Sequence, residues 1–416
     1  MTFDEVQKAY DAALLLADRD LIRLVAASVI ANQMDGNPVW LMIVASSSGG
    51  KTAVLMTLDE LEFVPGRRVT FFISDLTENT LASGFKVSGG GDASLLNQMP
   101  VGGVMIFKDF TSMLTKRHET RDTIMGQLRE VYDRKFDKRT GNKQDVAWKG
   151  RVGALAGVTE AMHEYMASMS VMGDRFIMYS PKQPDRRELL RFIMKLKVDT
   201  ENQEKRLLEA RAVMQDYLRM CIKRLPEAQM VMSEKDKEHL MEVADFVTKA
   251  RSGVIEDQRT GAVRFVPSAE MPTRLIDQLL SIATALCLMR VVDNKDPTLD
   301  RQDMLLLYKI AFDSIPLKRL WALRQLAMYM QGVSTAGIAA VIGYETNVVG
   351  QWLAQLNALG IIDRMKNAGR GDLWSLKQEF RDIMVTYQGV ETKDAVLEDP
   401  DADDDELFSE RALRQF

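Results

Sequence analysis

The sequence has little cysteine and histidine. Its 416 residues include two cysteines, Cys221 and Cys287, and three histidines. So few cysteines exclude a disulfide-stapled scaffold, and each lies in an apolar helical stretch, so we expect two buried thiols in a reducing compartment. No histidine lies near a cysteine pair, so the residue pattern of a zinc site is absent.

Long hydrophobic runs are absent as well. No apolar run reaches the roughly 18 residues that a membrane-spanning helix needs, and the N-terminal segment is too polar for a signal peptide. We therefore expect a cytoplasmic protein with no membrane partner. The composition, 46% hydrophobic and 27% charged, excludes collagen-like and disordered chains and is typical of two or three globular domains.

Negative charge is concentrated at the C-terminus. Residues 391–416 contain ten acidic and three basic residues, so of the total net charge of −5 the preceding 390 residues carry +2. A mildly basic body with an acidic tail is compatible with a nucleic-acid partner. The alternative is a disordered tail that only increases solubility.

Apolar runs alternate with helical patterns in the first half of the chain. Residues 2–33 have the pattern of two helices, with Thr2 and Glu5 forming a capping box. Five short apolar runs predict buried strands, which alternate with helices as in an α/β fold with a parallel sheet. The runs are 39–44, 69–74, 101–107, 151–158 and 175–179.

Composition divides the chain into four segments. Residues 1–185 form the predicted α/β domain, and residues 186–316 show helical periodicity and are predicted to form a helical domain. Residues 317–385 form a third unit, and residues 386–416 an acidic disordered tail.

The first predicted strand runs into a glycine- and serine-rich loop. Residues 45–52 fit the phosphate-binding pattern G-x-x-x-x-G-K-[ST], with Ala45 at the first glycine. Small residues let backbone N–H groups surround phosphate oxygens, and the following helix turns its positive end toward the same anion. Lys51 would bind the β- and γ-phosphates of ATP, and the Thr52 hydroxyl would bind Mg²⁺. The loop itself consists of Ser46, Ser47, Ser48, Gly49 and Gly50.

A companion acid is expected at the end of another buried strand. The third strand ends in Lys108-Asp109, and Asp109 would hold Mg²⁺ or orient the attacking water. The usual pattern there is Asp-Glu, so one carboxylate is missing, which bears on the rate of hydrolysis more than on nucleotide binding. Glu160 or Asp75 are candidates for a second carboxylate.

Taken in order, these segments resemble the AAA+ ATPases, and among them the minichromosome-maintenance (MCM) helicases and the MCM-like helicases of phages and mobile elements. The resemblance covers roughly residues 15–315 and rests on the order of five short motifs. They are Ser46–Thr52, Lys108–Phe110, Gly157–Thr159, Gly173–Phe176 and Pro272–Leu275.

The resemblance implies further roles. It makes the helical domain a lid, Thr159 the sensor-1 residue beside the γ-phosphate or the attacking water, and Arg175 an arginine finger that reaches the nucleotide of a neighbouring subunit. Arg274 matches the sensor-2 arginine. A finger acting between subunits requires a homo-oligomer, and the family implies a hexameric ring.

Basic residues gather before the fourth strand, between residues 116 and 151. Residues 136–143 have the pattern of a hairpin that carries Lys138, Arg139 and Lys143. MCM helicases have a pore hairpin at this place that contacts DNA, single-stranded or forked. The alternative is an ordinary solvated loop. A glycine-rich loop at 84–92 matches a second family insertion.

The third unit has the pattern of a winged helix. Helices are predicted at 317–330, 334–341 and 346–359, the second capped by Ser334 and the third by Thr346, followed by short strands at 360–365 and 373–376. Its third helix would present Thr346, Asn347, Gln351 and Gln355 to DNA, and Lys366 and Arg370 on the wing would contact phosphate. Winged helices also dock proteins, which is the alternative.

Three functions fit this sequence. The first is an ATP-driven motor on DNA, a replicative or mobile-element helicase. The second is an ATP switch with slow hydrolysis, such as a helicase loader or a transposition-target regulator, which the missing carboxylate favours. The third is a DNA-binding regulator with a vestigial nucleotide site, against which the intact Gly49-Gly50-Lys51-Thr52 argues.

Overall fold

The computed structural model describes residues 1–46, 49–81, 94–139, 145–165, 175–197, 200–257, 259–365 and 372–397. The chain divides into two compact units. The first contains residues 1–236 and 274–307, and the second contains residues 237–273 and 308–416. The predicted boundaries after residues 185, 316 and 385 follow composition and stay predictions.

Strands of the first unit alternate with helices, as the sequence predicts. The strands are β1 (Trp40–Val44), β2 (Glu62–Val64), β3 (Arg67–Arg68), β4 (Thr70–Ile73), β5 (Gly103–Phe107), β6 (Lys135–Arg139), β7 (Asp145–Lys149), β8 (Val152–Val158) and β9 (Ile177–Tyr179). The first helices are α1 (Phe3–Ala13), α2 (Asp20–Ala31), α3 (Lys51–Met56), α4 (Leu95–Gln98), α5 (Thr111–Leu114) and α6 (His118–Tyr132). Those that follow in the chain are α7 (Arg186–Lys197), α8 (Thr200–Lys223), α9 (Glu234–Arg251), α10 (Thr273–Val292) and α11 (Arg301–Asp313). Helices α9 and α11 begin in the first unit and end in the second.

Five strands form one parallel sheet in the order β4-β5-β8-β1-β9. The predicted α/β fold with a parallel sheet is thereby confirmed. Every residue of β1, β5 and β8 is buried, because helices cover both faces of a parallel sheet and its strands are apolar throughout.

The strand order creates a crevice beside β1. From β1 the chain passes β8 and β5 to reach β4 at the edge, whereas the connection from β8 to β9 passes β1 in the other direction. Right-handed crossovers in opposite directions lie on opposite faces of a sheet. The loops that follow β1 and β8 therefore lead to opposite faces of the sheet and leave a crevice between them at its carboxyl edge. This is where α/β sheets bind ligands.

The amino end of β1 is fixed by a buried asparagine. Asn32 follows α2 and exchanges two hydrogen bonds of 3.0 Å with the backbone of Val39. Gly153 of β8 leaves room for this amide, because a Cβ there would overlap the Asn32 side chain. The Trp40 ring then packs against Tyr132 and Phe176, with ring centroids 5.3 and 4.9 Å apart.

Helix α10 is the one described helix that is long and apolar enough to cross a membrane. Its most hydrophobic window is 61% buried inside the protein, which is typical of a core helix and consistent with a soluble protein.

Both cysteines are buried as predicted, and burial raises the pKa of the Cys221 thiol to about 12.

The second unit combines helices with a small antiparallel sheet. Its further elements are β10 (Ile255–Glu256), β11 (Val263–Phe265), α12 (Leu317–Met328), β12 (Val333–Ser334), α13 (Thr335–Ile342), α14 (Thr346–Ala358), β13 (Ile362–Met365), β14 (Leu373–Leu376) and α15 (Gln378–Gln388). The sheet order is β12-β14-β13. The predicted helices and strands between residues 317 and 376 are therefore present, while their assignment to a winged helix stays a prediction.

One of the two helix caps predicted for this unit is confirmed, and the other is wrong. Ser334 Oγ accepts a hydrogen bond of 2.9 Å from Gly337 N, as an N-cap does. The prediction that Thr346 caps α14 is wrong, because Thr346 is the first helical residue and Glu345 holds the cap position. Residues 386–397, predicted to belong to the tail, include the end of α15 and a segment that hydrogen-bonds to the edge strand β12 through Leu397. Residues 398–416 lie outside the described part of the chain.

Candidate nucleotide-binding site

The loop after β1 is shaped by two glycines. Gly50 has φ of +79°, a left-handed conformation that side chains other than glycine disfavour. A Cβ on Gly49 would lie 2.8 Å from Gln183 Oε1 and 3.1 Å from the Ser46 carbonyl oxygen. Ser47 and Ser48 lie outside the described residues. Of the flanking residues, Gly49 N donates a hydrogen bond of 3.2 Å to the Ser46 carbonyl, directly before α3.

Lys51 lies at the start of α3 with its ammonium folded over the loop. The side chain is buried, and Nζ donates hydrogen bonds to the carbonyl oxygens of Ala45 and Ser46, the latter at 2.7 Å. Burial lowers the pKa of Lys51, and the charges of Asp109 and Glu160 oppose that shift. The lysine therefore lies against the glycine loop and within electrostatic range of two carboxylates.

The two carboxylates come from neighbouring strand ends. Asp109 follows β5, is exposed, and accepts a hydrogen bond of 3.0 Å from Thr111 N. Glu160 opens a short 3₁₀ helix after β8 and is also exposed. Of the two acids considered as the second carboxylate, Glu160 interacts electrostatically with Lys51, whereas Asp75 forms an ion pair of 2.6 Å with Lys116.

Thr159 joins the ends of β5 and β8. Its backbone N–H donates to Thr111 Oγ1 at 2.9 Å, and the two hydroxyl oxygens are 3.3 Å apart. The predicted sensor residue therefore lies in the same crevice as Asp109 and Glu160. Thr111 is a site residue that the sequence analysis missed, although a polar residue soon after a buried strand end is a usable signal.

Two segments that the sequence did not assign to the site border the loop. Gln183, after β9, accepts a hydrogen bond of 3.2 Å from Ser46 Oγ. Asp18, between α1 and α2, accepts bonds from Tyr179 Oη at 2.8 Å and from Lys182 N at 3.0 Å. No local motif marks either residue, because only the sheet order brings the chain before α2 and after β9 to the loop.

The described residues fit the binding of phosphate better than they fit the binding of Mg²⁺ by protein groups alone. No group of three or more His, Cys, Asp or Glu in the described ranges is placed to hold a metal ion alone. Mg²⁺ needs only one or two protein oxygens beside phosphates and water, which the exposed Thr52 and Asp109 can supply. Lys108 occupies the position before Asp109, with Nζ 5.3 Å from the centre of the Phe72 ring.

The two predicted arginines lie at the opposite edge of the sheet. Arg175 precedes β9 and is buried, with an ion pair of 2.7 Å to Asp133. The guanidinium carbons of Arg175 and Arg274 lie 5.6 and 6.0 Å from the centre of the Tyr132 ring. Because β1 and β9 are parallel, the length of a five-residue strand, about 16 Å, separates this amino edge from the carboxyl edge that carries Lys51.

The predicted basic hairpin is present. Strands β6 and β7 pair antiparallel from Lys135↔Lys149 to Arg139↔Asp145. At its base, Phe136 and Trp148 are buried and Trp148 Nε1 donates to the Leu96 carbonyl at 3.1 Å. Lys138 and Arg139 belong to β6, and Lys143 lies outside the described residues, as does the glycine-rich loop at 84–92. The hairpin leaves the sheet at the amino edge, directly before β8.

In the second unit, the predicted DNA-contacting face of α14 meets another hairpin. A Cβ on Gly261, in the β10–β11 turn, would overlap the side-chain amide of Gln351. Gln355 donates to Glu256 Oε1 at 2.6 Å and accepts from Arg319 Nε at 2.9 Å. The first turn of α14, with Thr346 and Asn347, is exposed. Lys366 and Arg370 lie outside the described residues.

Comparison with known proteins adds no family to these observations. No protein-family model matches the chain, and no curated protein matches it. The interpretation of this crevice as a nucleotide site therefore depends on the sequence pattern and on the geometry around Lys51.

Proposed function

We propose that the protein is an ATPase of AAA+ type that acts as a motor on DNA, with its first unit as the nucleotide-binding core. The observation that carries this proposal is the position of Lys51, which is buried at the strand-order crevice and hydrogen-bonded to the Ala45 and Ser46 carbonyls. Asp109 and Glu160 follow the two adjacent strands β5 and β8. A buried ammonium beside a tight loop is suited to the β- and γ-phosphates of a nucleotide.

The residues divide the chemistry between them. Backbone N–H groups of the loop and the Lys51 ammonium would bind the phosphates, while Thr52 and Asp109 would hold the Mg²⁺ that offsets phosphate charge. Glu160 or Asp109 would orient the attacking water and accept its proton. Thr159, hydrogen-bonded to Thr111, would position the water or the terminal phosphate.

The arginines support hydrolysis between subunits. Arg175 and Arg274 lie on the amino edge, away from their own Lys51, so each would serve a neighbouring copy in a ring. Arg175 is bonded to Asp133, and it would exchange that partner for the transition-state charge when subunits assemble. Lys138, Arg139 and Lys143 of the β6–β7 hairpin would contact DNA phosphates. Residues 317–385 of the second unit, proposed as a winged helix, would provide further DNA contacts.

An ATP switch is the second candidate, and one observation favours it. Lys108, a cation, stands where the usual pattern has the first metal-binding carboxylate. A switch needs nucleotide binding and assembly on DNA, with only slow hydrolysis. A helicase loader or a transposition-target regulator works in this way.

The experiment that tests both is steady-state ATPase activity with and without single-stranded DNA, run beside native mass spectrometry and unwinding of a forked duplex. The motor predicts DNA-stimulated turnover, an oligomer and unwinding. Slow turnover without unwinding would assign the switch instead. A monomer that neither binds nor hydrolyses ATP-Mg²⁺ would contradict both.

A further inference from the structure

Helix α7 is a basic amphipathic helix with an exposed apolar stripe. Asp185 caps it by accepting hydrogen bonds of 3.0 Å from the backbone N–H groups of Arg187 and Glu188. Leu190, Ile193 and Met194 follow the i, i+3, i+4 spacing of one helical face. They are 62%, 39% and 68% exposed, so this apolar face of the helix is open to solvent.

A basic stripe runs beside the apolar one. Arg187, Arg191 and Lys195 recur every four residues and are all exposed. Over the whole of α7, five basic residues stand against one acidic residue. A surface that combines positive charge and large apolar side chains in two parallel stripes fits a partner that combines acidic and apolar side chains.

The C-terminal residues have this complementary composition. Residues 398–416 contain eight acidic residues and two basic ones, and the acidic run is followed directly by Leu407 and Phe408, with Leu413 and Phe416 further on. The segment starts from a fixed point, because Leu397 N donates to the Gly332 carbonyl and Ser334 N to the Leu397 carbonyl, at 3.1 and 2.8 Å.

The length of this segment allows it to reach another molecule. Nineteen residues follow Leu397, and at about 3.5 Å per residue they span at most roughly 65 Å. That is about twice the ~30 Å diameter of a small domain. A segment of this length is long enough to reach an adjacent copy of the chain.

We propose that residues 398–416 of one copy bind along α7 of a second copy. The acidic run pairs with Arg187, Arg191 and Lys195, and the apolar side chains that follow cover Leu190, Ile193 and Met194. Nucleic acid would satisfy the basic stripe and leave the apolar stripe exposed. An anionic membrane would satisfy both stripes, and it is therefore one of the outcomes that the test distinguishes. The interaction does not depend on the nucleotide site.

The test uses energy transfer between full-length copies. Cys221 and Cys287 are buried, so added surface cysteines react selectively with maleimide dyes. One preparation carries a donor at Ser409→Cys and the other an acceptor at Glu188→Cys. We expect transfer on mixing, without nucleotide. Reversing the three α7 charges (R187E/R191E/K195E) should weaken the association roughly tenfold, because three individually weak, exposed ion pairs become repulsive together.

A charge exchange makes the test specific. Reversing three tail charges (D403K/D404K/D405K) should weaken transfer as much as the α7 reversal, and combining the two reversals should restore it. The matched control reverses three exposed basic residues elsewhere, Arg67, Lys205 and Lys235, and should leave transfer unchanged.

Three results would overturn the proposal. The first is transfer that is absent, or that neither reversal affects. The second is transfer in a doubly labelled chain that persists in an excess of unlabelled protein, which would place the interaction within one copy. The third is loss of binding to vesicles of anionic lipid, or to DNA, on α7 reversal while transfer is unchanged, which would assign the stripe to that partner.

Discussion

The two edges of the parallel sheet carry different chemistry. At the carboxyl edge, Lys51, Asp109, Glu160 and Thr159 come from the ends of three neighbouring strands, and all except Lys51 are partly or fully exposed. At the amino edge, Arg175 and Arg274 approach the ring of Tyr132, and the basic hairpin leaves the sheet beside them. In the proposed function, the carboxyl edge supplies the groups that bind phosphate within a single chain, and the amino edge supplies cations that would act on a neighbouring copy or on DNA.

This difference has a physical origin in strand direction. Parallel strands bring all their carboxyl ends together, so residues far apart in sequence meet around one loop. The amino ends are joined to the preceding helices, and at this edge burial lowers the pKa of Arg175 while Asp133 opposes the shift. We infer that substitutions at the carboxyl edge act within one subunit, whereas substitutions at the amino edge act on a neighbour or on DNA.

The largest expected effect is that of Lys51→Ala. Removing the ammonium that is hydrogen-bonded across the loop should abolish nucleotide binding and ATPase activity, measured by titration with a fluorescent ATP analogue and by phosphate release. Lys116→Ala is the matched control, since Lys116 lies at the same edge but pairs with Asp75. Unchanged turnover in Lys51→Ala would remove the phosphate-loop assignment.

At the amino edge, Arg175→Ala should preserve nucleotide binding and reduce hydrolysis by on the order of 10³, the lower end of what arginine fingers contribute. Mixing it with wild-type protein should lower activity by more than its share, because each mutant subunit disables its neighbour's site. Arg175→Lys is the control for misfolding, because it keeps a positive charge beside Asp133. Full activity in Arg175→Ala, or loss strictly in proportion to its share, contradicts action between subunits.

A smaller effect is expected for Glu160→Gln. If this carboxylate assists the attacking water, turnover should fall by roughly 10²–10³ with nucleotide affinity retained. Asp109→Asn should instead raise the Mg²⁺ concentration required for activity, because a metal-binding oxygen is weakened. Asp75→Asn is the control and should change neither quantity. Equal, small effects of all three substitutions would show that the carboxyl edge holds no catalytic carboxylate.

Much of the carboxyl edge could be predicted from the sequence. Five apolar runs indicated the strands, and the glycine loop and Asp109 each follow one of those runs. The sequence could not choose between Glu160 and Asp75, because both follow strand ends and only the order β4-β5-β8-β1-β9 decides which one faces Lys51. No sequence pattern marked Gln183 or Asp18 as site residues, because only the strand order brings their segments to the loop.

The bounds of the second unit were harder to predict, because the composition of the chain does not change where one unit ends and the other begins. Residues 237–273 have the helical periodicity of the preceding segment, yet Arg319 donates to the carbonyl oxygens of Ala250 and Ser252 at 2.9 and 2.8 Å. The hairpin that meets α14 has strands of two and three residues, too short for any alternation of apolar and polar residues to mark them.

The smallest expected effect sharpens the comparison at the amino edge. Replacing Lys138, Arg139 and Lys143 together with alanine should weaken single-stranded DNA binding and flatten its salt dependence, by about 0.7 in log–log slope for each phosphate that the hairpin no longer neutralises. ATPase activity without DNA should remain, because the hairpin leaves the edge opposite the phosphate loop. Lys135→Ala is the control, since Lys135 forms an ion pair of 2.6 Å with Asp137 at the hairpin base. If binding and its salt slope are unchanged, the hairpin is an ordinary solvated loop, and DNA binding belongs to the C-terminal unit.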